Sequence, residues 1–273
     1  MSDNKPQDHY HDPLLSRLYD SQNPWGPDCD FFLSLIQDAP VPRKVLDVGC
    51  GTGLLTAAFA NLGYDTTGID PASDMLNIAR HRQSGDKVSW VQSDAAQFKS
   101  DQLFDLIILS GHAFQVFLTD QAIHDALTNL KALLSPNGKI AFDTRNLDAK
   151  AWERWIPKET TQTFVLPANS QHQKDQRIEI WHDLGNVQRY GDGRIVEYFT
   201  LYRTMPVQEN NVLSSGQSLP PPTKTEAKIR FLSHNELLAH LDKAGLVLEH
   251  LFGDWNQTPL QKDSREMIVV ARN

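Results

Sequence analysis

The chain has 273 residues and a formal net charge of −8, a length that suits one large α/β domain or one domain with an elaborated insertion. The acidic balance argues against a nucleic-acid or anionic-membrane surface, because both partners require a basic patch. Cys29 and Cys50 are too few for a disulfide framework. The first residues lack the apolar core of a signal peptide, and no apolar run approaches the ~18 residues of a membrane span. These features predict a soluble, cytoplasmic protein.

The N-terminal region is polar, and residues 1–8 predict a disordered tail. Residues 10–27 combine short helical stretches with prolines and a glycine, and the aromatic residues Tyr19 and Trp25 stand out there. Apolar residues at helical spacing begin near Asp28 and predict an amphipathic helix.

A glycine-rich turn follows the first predicted strand. Residues 45–48 form a short apolar run with one acid, which is typical of a buried parallel strand. Gly49, Gly51 and Gly53 come next at alternate positions, and residues 54–62 have helical composition. A strand that turns through glycines into a helix presents free backbone N–H groups to a ligand. Glycine allows both a positive φ and a close approach of that ligand.

The turn does not match the dinucleotide fingerprint G-x-G-x-x-G, which requires a glycine where Leu54 stands. The observed pattern is D-x-G-x-G-x-G, with Asp47 just ahead of the glycines. That acid would repel a pyrophosphate, but it could accept a hydrogen bond from an ammonium group. A glycine-rich turn without any ligand is the structural alternative.

Acids end the next two predicted strands. Asp70 ends the strand at residues 65–70 and lies 19 residues after Gly51, close to the ~20 at which such folds place a ribose-binding carboxylate. Asp94 follows the strand at residues 87–92. The alternatives are an exposed strand end for Asp70 and a helix cap or turn acid for Asp94.

Polar residues also follow the fourth predicted strand, at residues 104–110. The carboxyl end of a central strand in an open α/β sheet is where ligands bind and chemistry takes place, and Ser110, His112 and Gln115 lie there. His112 could act as a general base because its unperturbed pKa is near neutral. Equally, it could only hydrogen-bond the backbone and hold the loop.

An amphipathic helix at residues 119–134 precedes the fifth predicted strand, at residues 139–144. Arg145 follows that strand and could clamp a substrate carboxylate with its planar fork. A salt bridge to Asp143 or Asp148 is the alternative.

The pattern changes between residues 151 and 228. Segments 176–183 and 194–203 are rich in β-branched and aromatic residues, and Gly185-Asn186 and residues 191–193 are hairpin turn signals. We therefore expect an antiparallel β insertion. A proline-ended loop, a capped helix and two final strands are predicted over residues 207–224, 233–243, 246–253 and 266–272.

The segment at residues 45–60 resembles motif I of the class I S-adenosylmethionine (SAM)-dependent methyltransferases, and family-like motifs continue in order as far as residue 146. The resemblance implies an α/β fold with a seven-stranded, doubly wound, mostly parallel sheet of order 3-2-1-4-5-7-6 and an antiparallel β insertion after strand 5. The expected organisation is a tail and lid segment at 1–27, a SAM-binding domain at 28–150 plus 229–273, and an insertion covering the substrate site at 151–228.

The resemblance also implies SAM as cofactor, with S-adenosyl-L-homocysteine (SAH) as product. Asp94 and Ala95 match the adenine-reading corner of the family, and Met75 falls where an apolar side chain packs on the adenine face or, alternatively, in the helix core. Tyr19 belongs to a segment that either covers the cofactor or only packs on the core. The expected cofactor-binding residues are Tyr19, Asp47, Gly49, Cys50, Gly51, Thr52, Gly53, Asp70, Pro71, Met75, Asp94, Ala95 and Ser110.

The acceptor is expected to be a small molecule methylated on O or N. The Asn/Asp-Pro-Pro-aromatic tetrapeptide that many nucleic-acid and protein-amide N-methyltransferases carry is missing after the fourth strand. His112 is the expected catalytic residue, with Gln115, Arg145 and Trp25 binding the substrate, and no metal site is expected because no Cys/His cluster has zinc spacing. The alternatives are a SAM-binding regulatory or scaffold protein without turnover, a protein methyltransferase and, less favoured, a NAD-dependent oxidoreductase.

Overall fold

The computed structural model describes residues 7–8, 11–36, 43–168, 175–205 and 219–273. Most of the predicted tail at residues 1–8 and of the predicted loop at residues 207–224 therefore lies outside the described residues. Within the described residues, no helix is long and apolar enough to cross a membrane.

The described chain contains helices and strands in mixed order. The α-helices are α1 Pro13–Gln22, α2 Pro27–Ser34, α3 Leu54–Asn61, α4 Ser73–His81, α5 Asp120–Ala132, α6 Pro157–Thr160 and α7 His234–Lys243. The strands are β1 Gln7–Asp8, β2 Lys44–Val48, β3 Asp65–Asp70, β4 Ser89–Gln92, β5 Phe104–Leu109, β6 Leu134–Arg145, β7 Gln162–Leu166, β8 Gln176–Tyr190, β9 Gly193–Met205, β10 Thr223–Phe231, β11 Val247–Phe252 and β12 Glu266–Arg272.

A seven-stranded sheet forms the centre of the molecule, in the spatial order β11-β12-β6-β5-β2-β3-β4. Strands β2 to β6 are parallel, whereas β12 and β11 are antiparallel to their neighbours. Numbered in chain order within this sheet, the strands lie in the order 3-2-1-4-5-7-6, which confirms the prediction. Leu46, Ile107 and Phe142 are fully buried, because helices cover both faces of a doubly wound sheet and its strands are therefore apolar throughout.

A second sheet has the order β1-β10-β9-β8-β7. Its long strands pair antiparallel, which confirms the predicted β insertion after the fifth strand of the first sheet. The turn predicted at Gly185-Asn186 is wrong, because these residues lie inside β8, where the register shifts between Leu184 and Val187. A bulge of this kind uses the same small and polar residues as a turn. The other predicted turn, at residues 191–193, is confirmed: β8 ends at Tyr190, β9 begins at Gly193, and Gly191 between them has a φ of 60°.

Helix α1 lies between the two sheets. Its N-cap residue, Asp12, accepts hydrogen bonds from two backbone N–H groups of the first turn and, through Oδ2, from the Tyr202 hydroxyl of β9 at 2.8 Å. Leu18 packs with apolar side chains of β7 and β8. At the other end of the helix, Asp20 accepts hydrogen bonds from Thr52 and Arg82 of the first sheet's layer. The helix is thereby held on both sides.

Candidate active site

A cavity of about 330 Å³, called here the first cavity, lies at the carboxyl ends of strands β2 to β5. Parallel strands end at one common edge, where open α/β sheets place their ligands. Ten of the residues singled out from the sequence lie on its wall, namely Tyr19, Gly49, Gly51, Asp70, Pro71, Met75, Asp94, Ala95, Ser110 and His112.

The glycines of the turn have two different tasks. Gly49, Gly51 and Gly53 all have positive φ, at 72°, 54° and 75°, which glycine adopts at little cost. Gly49 and Gly51 lie on the cavity wall. At Gly53, however, an added Cβ would come within 2.4 Å of the Trp90 ring. This third glycine is therefore needed for close packing of the chain rather than for the approach of a ligand.

Asp70 is held in one orientation by the backbone. Its Oδ2 accepts from the N–H of Gly51 at 2.9 Å, and its Oδ1 accepts from the N–H of Ala72 at 2.8 Å. Burial raises the pKa of this carboxyl, and the two N–H groups act in the opposite direction. The side chain is thus presented to the cavity without freedom to rotate.

Asp94 combines the two roles that were open from the sequence. Its Oδ1 accepts from the N–H groups of Ala96 and Gln97 at 2.9 and 2.8 Å, so the side chain does cap the turn after β4. It also lies on the wall of the first cavity. Because only one oxygen makes the cap, the carboxylate can serve the turn and a ligand together.

Four residues predicted to bind the cofactor, Asp47, Cys50, Thr52 and Gly53, are not on the cavity wall. Asp47 lies beneath the turn with 1% of its surface exposed, and its Oδ2 accepts from the Thr56 hydroxyl at 2.6 Å. Burial raises its pKa to about 7. These positions indicate that the four residues support the glycine turn from behind. They do not favour the direct ligand contact that the motif suggested.

His112 lies between two carboxylates. It has a φ of 63°, and its backbone N–H donates to Oδ2 of Asp143 at 2.9 Å. Its ring atom Nε2 lies 2.9 Å from Oε2 of Glu266 and 3.4 Å from Oδ2 of Asp143. Asp143 belongs to β6 and Glu266 to the adjacent β12. Glu266 was not identified from the sequence as a site residue; the only signal was its position at the start of the last predicted strand, which pairs with the strand that ends near Arg145.

Burial moves all three members of this cluster toward their neutral forms. Burial, together with the nearby Arg145, lowers the pKa of His112 to about 4, while burial raises the pKa of Asp143 to about 6 and of Glu266 to about 7. At neutral pH His112 is therefore an uncharged imidazole with a lone pair available. The ligand atoms of the three residues lie within 4.8 Å of one another, so this group could also hold a divalent cation.

A second cavity of about 190 Å³ adjoins the first. The two share Tyr19, Met75, Gly111 and His112. The remainder of the second wall is Leu15, Gln22, Asn23, Arg145, Trp155, His182, Tyr198 and Ile229. Since β8, β9 and β10 contribute the last three of these, the second sheet closes this cavity from above.

Of the three predicted substrate-binding residues, only Arg145 is on the second wall. Gln115 has 1% of its surface exposed and binds Arg145 and the backbone oxygen of Arg230, so it lies behind the wall. Trp25 contacts neither cavity. Its indole N–H donates to Asp30 at 2.8 Å, because α2 starts at Pro27 and brings Asp30 to the N–H edge of the ring.

Comparison with known proteins identifies the class. Residues 45–138 match the family model described as a methyltransferase domain. Nodulation protein S of Rhizobium tropici is 30% identical over 194 residues, which cover 67% of this chain and 78% of that protein. A ubiquinone biosynthesis O-methyltransferase of Idiomarina loihiensis is 32% identical over 173 residues, covering 53% of this chain and 69% of that protein.

The fold agrees with that of solved methyltransferases. The CcbJ methyltransferase from Streptomyces caelestis superposes with a TM-score of 0.67 at 17% identity, over 97% of this chain and 98% of that chain. A SAM-dependent methyltransferase from Clostridium acetobutylicum gives a TM-score of 0.68 at 14% identity, over 95% and 97%. The chain belongs to the class I SAM-dependent methyltransferases. The predicted enzyme class and its methyl donor, SAM, are confirmed.

Proposed function

We propose that this enzyme transfers the methyl group of SAM to an O or N atom of a small-molecule acceptor held in the second cavity, and that His112 receives the acceptor's proton. The observation that carries the proposal is the position of His112 on the walls of both cavities. A group at this junction lies where a donor in the first cavity and an acceptor in the second would meet.

The first cavity suits the cofactor. Its volume of about 330 Å³ falls within the ~300–1,000 Å³ of small-molecule sites, and an added Cβ at Gly51 would project toward Tyr19, across the space a ligand needs. Asp70 would accept hydrogen bonds from the ribose hydroxyls, and Asp94 with the N–H of Ala95 would read the adenine. Met75 and Tyr19 would cover it from the other side. When bound, SAM supplies a methyl group already activated by the positive sulfur.

The chain itself contributes alignment, enclosure and a proton acceptor. Holding two reacting atoms about 3–3.5 Å apart can lower the barrier by roughly 7–11 kcal/mol. Helix α1 and the second sheet contribute residues to the wall beside the junction, and this cover would reduce access of water, which suits a reaction in which charge disperses. Nε2 of His112 is engaged by Glu266, whereas Nδ1 forms no hydrogen bond to any described residue, so Nδ1 is the atom that would take the proton. The carboxylates of Glu266 and Asp143 would then stabilise the imidazolium.

The size of the second cavity supports a small-molecule acceptor. The second cavity holds about 190 Å³, below the usual range for drug-sized ligands, and a ubiquinone biosynthesis O-methyltransferase is among the relatives. In this proposal residues 1–27 are the tail and lid segment, residues 28–150 with 229–273 are the SAM-binding domain, and residues 151–228 are the insertion that covers the acceptor, each taken over its described residues. We place the enzyme in the cytoplasm, because its two cysteines are too few for a disulfide framework.

The test is SAH formation over a panel of phenols, alcohols and amines with the wild-type enzyme and His112→Asn, a variant that tolerates the positive φ but cannot act as a base. We expect unchanged SAM affinity and a turnover reduced about 10²–10⁴-fold. His250→Asn, with the ring on the exposed edge strand β11, is the control. Normal turnover by His112→Asn would show that His112 does not act as the base. SAM binding without product from any acceptor would favour a regulatory or scaffold protein.

A further inference from the structure

We infer that the acceptor carries a carboxylate and that Arg145 binds it on the wall of the second cavity. The inference rests on the proposed function, because it names the chemical class of the molecule that this cavity would receive.

The charge of the second wall points to an anion. Arg145 is its fixed cation, and neither an aspartate nor a glutamate is among the residues that line this cavity. The nearest acids, Asp143 and Glu266, are directed to His112 and lie off the wall. Within the described parts of the chain Arg145 forms no ion pair, so the salt bridges to Asp143 and Asp148 that the sequence allowed are not formed.

The guanidinium is nevertheless held in place. Its Nη1 donates to Oε1 of Gln115 at 2.8 Å, and its carbon lies 5.5 Å from the centre of the Trp155 ring. Gln115 is itself fixed, because its Nε2 donates to the backbone oxygen of Arg230 at 2.9 Å. A neutral amide and an aromatic face orient a cation without neutralising it. The remaining N–H donors of Arg145 have no partner among the described residues, and a carboxylate could occupy two of them at once.

The environment of Arg145 differs from that of Arg230, whose backbone oxygen accepts the other hydrogen bond of Gln115. Arg230 is 2% exposed and pairs with Asp120 at 2.7 Å, as a buried charge requires. Arg145, on a cavity wall, is oriented by Gln115 and forms no direct salt bridge within the described chain. Asp143 and Glu266 are close enough to feel its charge, but both are directed to His112. The anion is therefore expected to arrive with the ligand.

The rest of the wall indicates the body of the acceptor. The rings of Trp155 and Tyr198 have centres 5.0 Å apart, and Leu15 and Ile229 add apolar surface. With about 190 Å³ available, the cavity suits a single ring or a short chain. Such a molecule would bind its carboxylate at Arg145 and turn its nucleophile toward His112 on the same wall.

The experiment measures binding of hydroxybenzoates and aminobenzoates against their primary amides, with SAH present, by ligand-observed NMR and calorimetry. We expect at least one carboxylate to bind about tenfold or more tightly than its amide, since charge-assisted hydrogen bonds are roughly twice as strong as neutral ones. Arg145→Met should abolish this preference and leave SAH affinity unchanged. Arg189→Met, at an exposed arginine of the β8–β9 hairpin, should retain it.

Equal binding of acids and amides to the wild-type protein, or no binding of any of these carboxylates, would overturn the inference. So would a preference that survives in Arg145→Met. These results are distinct from failure of the proposed function, which would show as absence of SAM binding or of methyl transfer to every acceptor, neutral ones included.

Discussion

Nε2 of His112 lies 2.9 Å from Oε2 of Glu266, although the two residues are 154 positions apart in the chain. The contact exists because β12 pairs antiparallel with β6, which places Glu266, the first residue of β12, opposite Arg145, the last residue of β6. Glu266 thus connects the last strand of the sheet to the junction of the two cavities. Its charge is expected to influence every step in which His112 gains or loses a proton.

We expect Glu266→Gln to retain SAM affinity and lower kcat about tenfold or more, because the neutral amide cannot stabilise an imidazolium at His112. In the wild-type enzyme kcat should rise with pH through about 7, where the Glu266 carboxylate forms. In the variant that limb should move below about 6, since Asp143 remains and no longer has the Glu266 charge that helps to raise its pKa. The measurement is kcat from pH 5 to 9.

Glu249→Gln is the matched control, because Glu249 pairs with Lys139 at the sheet edge. It should reproduce the wild-type pH profile. An unchanged profile in Glu266→Gln would show that Glu266 only packs beside His112.

Asp47 should make stability depend on pH. Its pKa in the folded protein is about 7, against ~3.9 in an unfolded chain. The folded state therefore holds the proton more tightly, and the free energy of unfolding falls as pH rises from about 4 to above 7. Asp47→Asn removes this pH-dependent loss, which is on the order of a few kcal/mol. The free energy of unfolding of the variant, relative to that of the wild type, should therefore be higher at pH 8 than at pH 5.

Urea unfolding at the two pH values gives this difference directly. Asp65→Asn, at the exposed start of β3, should show no such gain. If Asp47→Asn differs from the wild type by the same amount at both pH values, Asp47 is already ionised in the fold and the assignment of its environment is wrong.

Alanine substitutions at Gly53 and Gly63 distinguish the cost of a packing clash from the cost of backbone strain. Both have positive φ, at 75° and 94°, but a Cβ at Gly63 meets nothing within 4 Å, whereas at Gly53 it meets Trp90. Alanine at Gly63 should cost about 1–2 kcal/mol, and alanine at Gly53 about 1–3 kcal/mol more. Chemical denaturation of the two variants measures this, and equal losses would contradict a packing role for Gly53.

The glycine turn, strand order and strand-end acids could be predicted because each depends on local chemistry. The alternating glycines indicate the turn, apolar runs indicate the strands, and parallel strands bring their carboxyl ends to one edge. Asp70, Asp94 and Ser110 consequently reach one cavity. Bulge and turn use similar residues, so Gly185-Asn186 could not be distinguished from a hairpin by composition.

The remaining site depends on contacts between distant segments. Glu266 reaches His112 only through the register of β12 against β6, and Gln115 is turned away from the acceptor by its bonds to Arg145 and Arg230. Trp25 is the exception, because a local contact with Asp30, five residues later, holds it away from the site. None of these partners is adjacent in sequence. The chemistry of a single residue does not indicate which polar residue its side chain will hydrogen-bond in the folded protein.

The central claim is that the first cavity binds SAM through Asp70, and calorimetric titration of SAM tests it most directly. We predict binding to the wild-type enzyme and to Asp65→Asn with equal affinity, and binding at least tenfold weaker to Asp70→Asn. Equal affinity of Asp70→Asn and the wild type, or binding of NADH in place of SAM, would contradict the account.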